Sequence, residues 1–261
     1  MQTITIAGPQ APLAASVSKA GPGVPALFVH ADLGTRHQWD ELLAALAGKR
    51  PVAAFDRRGH GDSAPPADGR FGAAAEPGDL LGVADALGFD RFALIGHSGG
   101  AAVAFQLANT VPARVAGLLL LDPPPDPAVI PAGQRAAMLE GTRKDPLNSA
   151  AEYYRSIAGP DPEVIERVVA DARATAPATI QGVAEATFEF APAAVAGGFA
   201  GPALAIIQPQ FDVPGALHRL GPGIPHRPLG HAGHWLHLGA PAEVARMLDE
   251  FLANVDEMAL A

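Results

Sequence analysis

The chain has 261 residues, of which 49% are hydrophobic and 17% charged, and its formal net charge is −9. This composition fits one α/β domain with an insertion, and the acidic balance argues against nucleic acid or an anionic membrane as a partner. The absence of cysteine excludes disulfides, thiolate metal sites and cysteine nucleophiles. Residues 1–6 alternate like an edge strand, without the long apolar stretch of a secretory signal, and no apolar run is long enough to span a bilayer. We therefore expect a cytoplasmic protein that does not act on membranes.

Short apolar segments bounded by glycine, proline or aspartate alternate with helical patterns along the chain. This alternation is typical of an α/β fold with a mostly parallel central sheet and helices on both faces. Helical spacing of apolar residues predicts helices near residues 39–46 and 80–87 and a final helix over 241–255. The expected strands are residues 26–29, 52–55, 92–95, 118–121 and 204–207, with a weaker strand near His226.

Residues 123–201 depart from this alternation. The segment opens with a proline-rich run and has helical patches near residues 134–140 and 163–173, but no obvious buried strand. Apolar residues at helical spacing near Val164 and Val168 argue against a flexible linker. The sequence therefore predicts a helical cap of residues 123–201, inserted into a core formed by residues 1–122 and 202–261.

A glycine-rich turn, Gly96-His97-Ser98-Gly99-Gly100, follows the apolar segment 92–95 and precedes a helical pattern. A turn sharp enough to expose a serine hydroxyl above a sheet strains its backbone, and glycines remove the clashes that side chains would cause. Because the turn leads into a helix, the amide after the serine faces a position where the helix dipole favours negative charge. These features predict that Ser98 is a nucleophile and that the Gly99 amide is one half of an oxyanion hole.

The second oxyanion amide is expected in the loop after the strand 26–29. Asp32 is the candidate, through its backbone N–H, while its side chain could either face the pocket or cap the next helix. A serine nucleophile also needs a base, and His234 lies in a glycine-bearing loop just before the final helix. The neighbouring His231 and His237 compete for this role.

A third group must orient the histidine. Asp212 lies on the loop after the strand 204–207 and is the preferred acid, whereas Asp122, which ends the strand 118–121, is the alternative. Three histidines in a short run could bind zinc, but the even spacing of residues 231, 234 and 237 fits neither the usual ligand patterns nor one helix face. We therefore expect no metal and no cofactor.

Together these motifs resemble the α/β-hydrolase superfamily over nearly the whole chain. The resemblance implies that Ser98 is the nucleophile, Asp212 the acid and His234 the base, and that the inserted segment shapes the substrate pocket. The similar segments are residues 24–39 (strand, oxyanion loop and aromatic), 54–63 (the D-x-R-G-x-G-x-S loop), 96–100 (nucleophile elbow) and His234-Trp235 (the terminal G-H-W segment).

The sequence departs from the family pattern in three places. Ala31 replaces a glycine, Asp32 replaces an apolar or aromatic residue, and the segment 208–212 lacks the usual glycine and is one residue longer than usual. The last departure keeps Asp122 open as the acid, because some lactonase-like members take their acid from that position. Asp32 in the oxyanion loop suggests an unusual substrate or reaction.

The sequence thus favours a cofactor-free serine hydrolase of carboxylic esters or lactones, acting on a small, mainly apolar molecule as a monomer or homodimer. Acyltransferases, C–C bond hydrolases, perhydrolases and cofactor-free oxygenases share the motif set, and a slow-turnover ligand receptor is the alternative from another class. The candidate pocket residues are Leu33, His37, Trp39 and Trp235, with Tyr153, Tyr154, Phe188 and Phe190 from the insertion.

Overall fold

The computed structural model of the chain describes residues 1–260. Its strands are β1 (Gln2–Ala7), β2 (Pro12–Ser18), β3 (Ala26–Val29), β4 (Val52–Phe55), β5 (Phe92–His97), β6 (Val115–Leu121), β7 (Ala203–Ile207) and β8 (His226–Pro228). They form one sheet in the order β1-β2-β4-β3-β5-β6-β7-β8. Neighbours are parallel from β4 to β8, and β2 is antiparallel to both β1 and β4. The expected mostly parallel sheet is confirmed, with β2 as an additional strand.

The helices are α1 (Asp40–Leu46), α2 (Pro77–Leu87), α3 (Gly99–Thr110), α4 (Ala132–Lys144), α5 (Pro146–Ile157), α6 (Pro162–Ala174), α7 (Pro177–Glu189), α8 (Leu236–Gly239) and α9 (Pro241–Leu260). Several begin at a proline, whose missing N–H has no partner in a first helical turn. Asp145 and Asp161 cap α5 and α6 by accepting hydrogen bonds from the backbone of the first turn. Within residues 1–260, no helix combines the length and the apolar character needed to cross a bilayer.

The sheet is covered on both faces, which the fully buried β5 makes clear. Leu94 belongs to the apolar cluster formed with α2 and α3, whereas the next residue, Ile95, belongs to the cluster formed with α1 and α9. This alternation follows from the opposite directions of successive side chains in a strand. The carboxyl ends of the central strands are thereby held at one edge, between two packed layers.

Helices α4 to α7 all lie between β6 and β7 in the chain, and we call residues 123–201 the helical insert. Its core includes Val164, Val168 and Ile180, and this core continues onto Leu33 and Trp235 from loops of the sheet. Helix α4 differs from the other three helices because none of its residues is buried. The insert therefore packs directly on the loops that follow the strands.

Candidate active site

The turn between β5 and α3 holds Ser98 in a strained backbone conformation, with φ 51° and ψ −122°. The Ser98 N–H donates to the Leu121 carbonyl oxygen at 3.0 Å. A Cβ on Gly96 would lie 2.6 Å from the Gly100 oxygen, and one on Gly100 would collide with the His30 carbonyl. Only glycines fit this close approach, as the sequence predicted, and the serine side chain lies at the top of the turn.

A hydrogen-bonded series of three side chains begins at Ser98. The Ser98 Oγ lies 2.8 Å from Nε2 of His234, and Nδ1 of His234 lies 2.7 Å from Oδ2 of Asp122. Asp122 is buried, and it also accepts from the backbone N–H of Gln208 at 2.9 Å and from its side-chain amide at 2.8 Å. A carboxylate in this position holds the proton on Nδ1, which leaves Nε2 free to accept the serine proton.

The position of Asp122 follows from the sheet. Strand β6 runs parallel to β5, so Asp122 and Ser98 leave the sheet side by side at the same edge. At the end of the next strand, β7, the chain instead presents Gln208, and the 3₁₀ turn Pro209–Phe211 then leads the backbone away. Gln208 thus hydrogen-bonds Asp122 and does not itself contact His234. Its position directly after the strand is the sequence signal for this role.

Asp212, the acid preferred from the sequence, is not brought to His234. Its carboxylate accepts from Arg219 Nε at 2.6 Å and Nη2 at 2.8 Å, and it also lies 2.8 Å from His218 Nε2. The hydrogen bonds from Arg219 and then from His218 hold the pKa of Asp212 below its usual range. The preference for Asp212 over Asp122 is therefore wrong on the geometry, because the residue already has partners on its own loop.

This loop and the start of β8 together contain the set of side chains that most resembles a metal site within residues 1–260. Asp212, His218 and His226 each place one ligand atom within 4.8 Å of the others. However, both oxygens of Asp212 are bonded to the Arg219 guanidinium, which puts a positive charge where a metal ion would bind.

The histidines at 231, 234 and 237 point to different partners. His231 lies 2.9 Å from Glu243 on the surface, whereas His237 is buried and stacks on Trp39 with ring centroids 4.2 Å apart. Burial lowers the pKa of His237 to about 3, so this ring is neutral. The structure therefore brings only His234 to Ser98.

The loop that carries His234 is held from two sides. Nε2 of His97 donates to the His234 carbonyl oxygen at 2.9 Å, and burial keeps the pKa of His97 well below its usual value. On the other side, the His234 N–H donates to the Ile157 oxygen at the end of α5, 3.0 Å away. Gly159 and Gly233 make the close approach of these two segments possible, because a Cβ on either would collide with the other's backbone. The sequence did not indicate this role for His97.

Two backbone amides are available beside Ser98. Gly99 opens α3, so its N–H has no partner within the helix. The Asp32 N–H has no backbone acceptor among residues 1–260. Leu33 next to it has φ 53°, and the non-glycine residues with positive φ in the described chain are Leu33, Ser98 and Asp122. Backbone strain is thus concentrated at this site, as is common where residues are held for function.

A buried ion-pair cluster fixes the Asp32 side chain. Arg57 is fully buried and donates to Asp32 Oδ1 at 2.7 Å and to both oxygens of Glu76 at 2.7 and 2.9 Å. Burial opposes the charges, but the mutual attraction outweighs it, so the pKa of Arg57 is raised and that of Glu76 lowered. The Tyr154 hydroxyl on α5 donates to the Asp32 carbonyl oxygen. Asp32 is therefore held at both its side chain and its backbone.

We expect Arg57→Met to destabilise the fold by about 3–5 kcal/mol, because it leaves the Glu76 carboxylate buried without its partner. Urea unfolding followed by circular dichroism measures this as a lower midpoint. The matched control is Arg219→Met, which removes an exposed pair and should leave the midpoint nearly unchanged. Equal losses in the two variants would contradict the importance of the buried cluster.

A cavity of about 500 Å³ opens above Ser98, His234 and Asp32. Helices α4, α5 and α7 supply much of its wall, and its lining is mostly apolar. Leu33 lines the cavity as expected, and so do four aromatic residues of the insert, namely Tyr153, Tyr154, Phe188 and Phe190.

The other three expected pocket residues do not line this cavity. Trp39 is fully buried in the apolar cluster formed with α1 and α9, against Phe28, because the 3₁₀ helix Arg36–Trp39 turns it into the core. His37 on the same turn is exposed and lies 3.0 Å from Asp40. Trp235 is buried behind the cavity wall, with its ring edge-on to Tyr154.

Comparison with known proteins agrees with this architecture. A model of the family described as "alpha/beta hydrolase fold" matches residues 25–155, which is half of the chain. The chain therefore belongs to the α/β-hydrolase fold family, which confirms the resemblance found in the sequence.

Three relatives show the range of the family around this chain. A protein of Klebsiella pneumoniae (strain 342) named as a carbamate hydrolase, RutD, is 34% identical over 102 residues, which are 39% of this chain and 38% of that relative. This chain thus spans about two fifths of that relative's length. An epoxide hydrolase of Caballeronia sordidicola is 28% identical across 92% of this chain and 91% of its own length. The structure of a thermophilic esterase from Thermogutta terrifontis is 25% identical, with a TM-score of 0.81, covering 98% of this chain and all of that one.

Proposed function

We propose that this protein is a serine hydrolase that cleaves carboxylic esters or lactones, with Ser98 as nucleophile, His234 as base and Asp122 as the orienting acid. The observation that carries the proposal is the series of short hydrogen bonds from Asp122 through His234 to Ser98, which ends beneath a mostly apolar cavity. A serine in this arrangement is activated for attack on a carbonyl carbon.

In the proposed reaction, His234 Nε2 takes the Ser98 proton as Oγ bonds to the carbonyl carbon. The Gly99 and Asp32 amides stabilise the negative charge that forms on the carbonyl oxygen. The bond to the alcohol oxygen then breaks, and His234 returns the proton to that oxygen. A water molecule, deprotonated by His234, next attacks the acyl carbon. The bond from that carbon to Ser98 Oγ then breaks, His234 returns the proton to Oγ, and the acid is released.

The identity of the proposed nucleophile, a serine, favours ester cleavage over the epoxide opening for which the relative from Caballeronia sordidicola is named. A serine oxygen that opens an epoxide forms an ether, which water does not cleave under these conditions, so the protein would be trapped after one event. A serine oxygen that attacks an ester forms another ester, which the same base can hydrolyse. Ser98 therefore favours acyl substrates.

We further propose that the helical insert acts as a cap over the core formed by residues 1–122 and 202–261. Its helices form much of the wall of the cavity, and Tyr154 and Ile157 contact the loops that carry Asp32 and His234. Apolar residues such as Met138, Ile180 and Phe190 would bind the apolar part of a small substrate.

The test is hydrolysis of 4-nitrophenyl butyrate and a medium-chain homologue, in parallel with styrene oxide. We expect repeated turnover of the esters, an initial burst of nitrophenol, and an acyl adduct on the peptide that contains Ser98, detected by mass spectrometry. A burst without turnover would support the receptor alternative. Turnover of the epoxide without turnover of either ester would contradict the proposal.

A further inference from the structure

Asp32 is a carboxylate in a cavity that is otherwise uncharged. Among the described residues that line the cavity, it is the only Asp, Glu, Lys or Arg, and its side chain is 21% exposed. Oδ1 accepts from Arg57, whereas Oδ2 has no hydrogen-bond partner within residues 1–260. One oxygen of this carboxylate is therefore available to a molecule in the cavity.

The carboxylate lies directly beside the elbow. The space that a Cβ on Gly99 would fill is taken by the carboxyl group of Asp32. In the proposed reaction, the substrate's carbonyl oxygen binds the Gly99 and Asp32 amides. A substrate whose acyl chain faces Asp32 then places the carbon next to that carbonyl near the carboxylate, because the amide and the carboxylate of one residue are only a few bonds apart.

The surroundings of Asp32 leave an excess of negative charge. Asp32 and Glu76 share the single cation of Arg57. The nearby His30 and His60 add no positive charge, because burial lowers the pKa of both rings. The cluster as a whole therefore attracts a cation or a hydrogen-bond donor and repels an anion.

We propose that Asp32 determines specificity by accepting a hydrogen bond from a donor on the carbon next to the scissile carbonyl, so that the substrate is an ester of a 2-amino or 2-hydroxy acid. This inference rests on the proposed function and names the acyl group on which it acts. An ammonium group gains most, because a hydrogen bond between two charged groups is the strongest kind. An acyl group that carries its own carboxylate is disfavoured.

The Asp32 carboxylate is held in a fixed position by two neighbouring residues. Tyr154 fixes the Asp32 backbone, Arg57 fixes the side chain, and both partners are buried. A flexible surface carboxylate would have to be ordered on binding, whereas this one is held in place before the substrate arrives. Such preorganisation makes a single hydrogen bond count fully toward selectivity.

The experiment compares four benzyl esters with three-carbon acyl groups: propanoyl, 2-hydroxypropanoyl (lactoyl), 2-aminopropanoyl (alanyl) and the malonyl half-ester, in which a carboxylate replaces the methyl group attached to carbon 2. Their kcat/KM values are measured by pH-stat, below the pKa of the alanyl amino group, for wild type, Asp32→Asn and Asp32→Ser. Both variants retain the backbone amide. Selectivity is taken as a ratio between substrates, so a general change in rate cancels.

We expect wild type to prefer the alanyl over the propanoyl ester by about tenfold to hundredfold, with the lactoyl ester between them and the malonyl ester last. In Asp32→Asn and Asp32→Ser, the alanyl preference should fall to within about threefold of the propanoyl ester, and the malonyl ester should gain. Asp212→Asn, which removes a carboxylate outside the cavity, should keep the wild-type ratios. An alanyl preference that survives both Asp32 variants, or none in wild type, would overturn the inference.

If the proposed function itself is wrong, the result differs from those above, because the propanoyl ester then shows no turnover that depends on Ser98. The inference is then decided by calorimetric binding of the alanyl ester to Ser98→Ala and to Ser98→Ala with Asp32→Asn. Weaker binding by tenfold or more in the second protein supports the role of Asp32, and equal binding refutes it.

Discussion

Ser98→Ala is expected to lower kcat/KM for 4-nitrophenyl butyrate by about 10⁴ to 10⁶, because it removes the nucleophile on which the proposed mechanism depends. Alanine adds no atoms to the elbow and experiences the same φ strain as serine, so the fold should be retained. The substitution also leaves the Gly99 and Asp32 amides in place. A small residual rate from binding and oxyanion stabilisation is therefore expected.

The matched control for this variant is Ser156→Ala. Ser156 lies on α5 of the insert, where it is exposed and donates only to the Tyr153 carbonyl oxygen. It should retain the wild-type rate. If Ser98→Ala kept more than a tenth of the ester activity, the hydrolysis would not proceed through this serine.

Asp122→Asn is expected to lower kcat by about 10³ to 10⁴ with little change in folding. The asparagine keeps the shape of the carboxylate but loses the charge that stabilises a protonated His234. Its amide nitrogen can also face Nδ1 of His234, which favours the tautomer that places the proton on Nε2. His234 then cannot accept the proton from Ser98.

Asp212→Asn is the control, because its carboxylate bonds to Arg219 and His218 rather than to His234. It should leave kcat within about twofold of wild type. Adding Asp122→Asn to Ser98→Ala should cause little further loss, since groups that act as a unit are not additive. A large loss in Asp212→Asn, with Asp122→Asn active, would show that the loop after β7 moves to supply the acid.

The sequence was most informative where local geometry restricts residue type. The elbow at Ser98 needs glycines because its backbone approaches the His30 carbonyl, and the sequence shows these glycines directly. The choice between Asp122 and Asp212 was different. Both follow strands that end at the same edge of the sheet, so chain order does not separate them. The partner Arg219, which bonds Asp212 seven positions along the same loop, became evident only in three dimensions.

The orientation of side chains on short turns also could not be predicted from the sequence. Trp39 and His37 lie two positions apart, yet one is fully buried and the other exposed, because the 3₁₀ helix places them on opposite sides. Strand β2 was missed since its residues are small and begin with a proline, without the β-branched pattern that indicates a strand. Its pairing with β1 and β4 supplies the stability that local preference lacks.

The hydrogen bond from the His234 N–H to the Ile157 oxygen means that the insert helps to position the proposed base. The insert is therefore not an interchangeable module. If the corresponding segment of another α/β hydrolase were grafted onto this core, it would need a glycine at the position of Gly159, because the backbone there packs against Gly233 with no room for a side chain. Without this contact, the His234 imidazole would lose its alignment with Ser98. Exchanging this whole segment to obtain a new substrate range would thus put turnover at risk, whereas substitutions of apolar wall residues such as Met138 and Ile180 would leave the contact with the His234 loop in place.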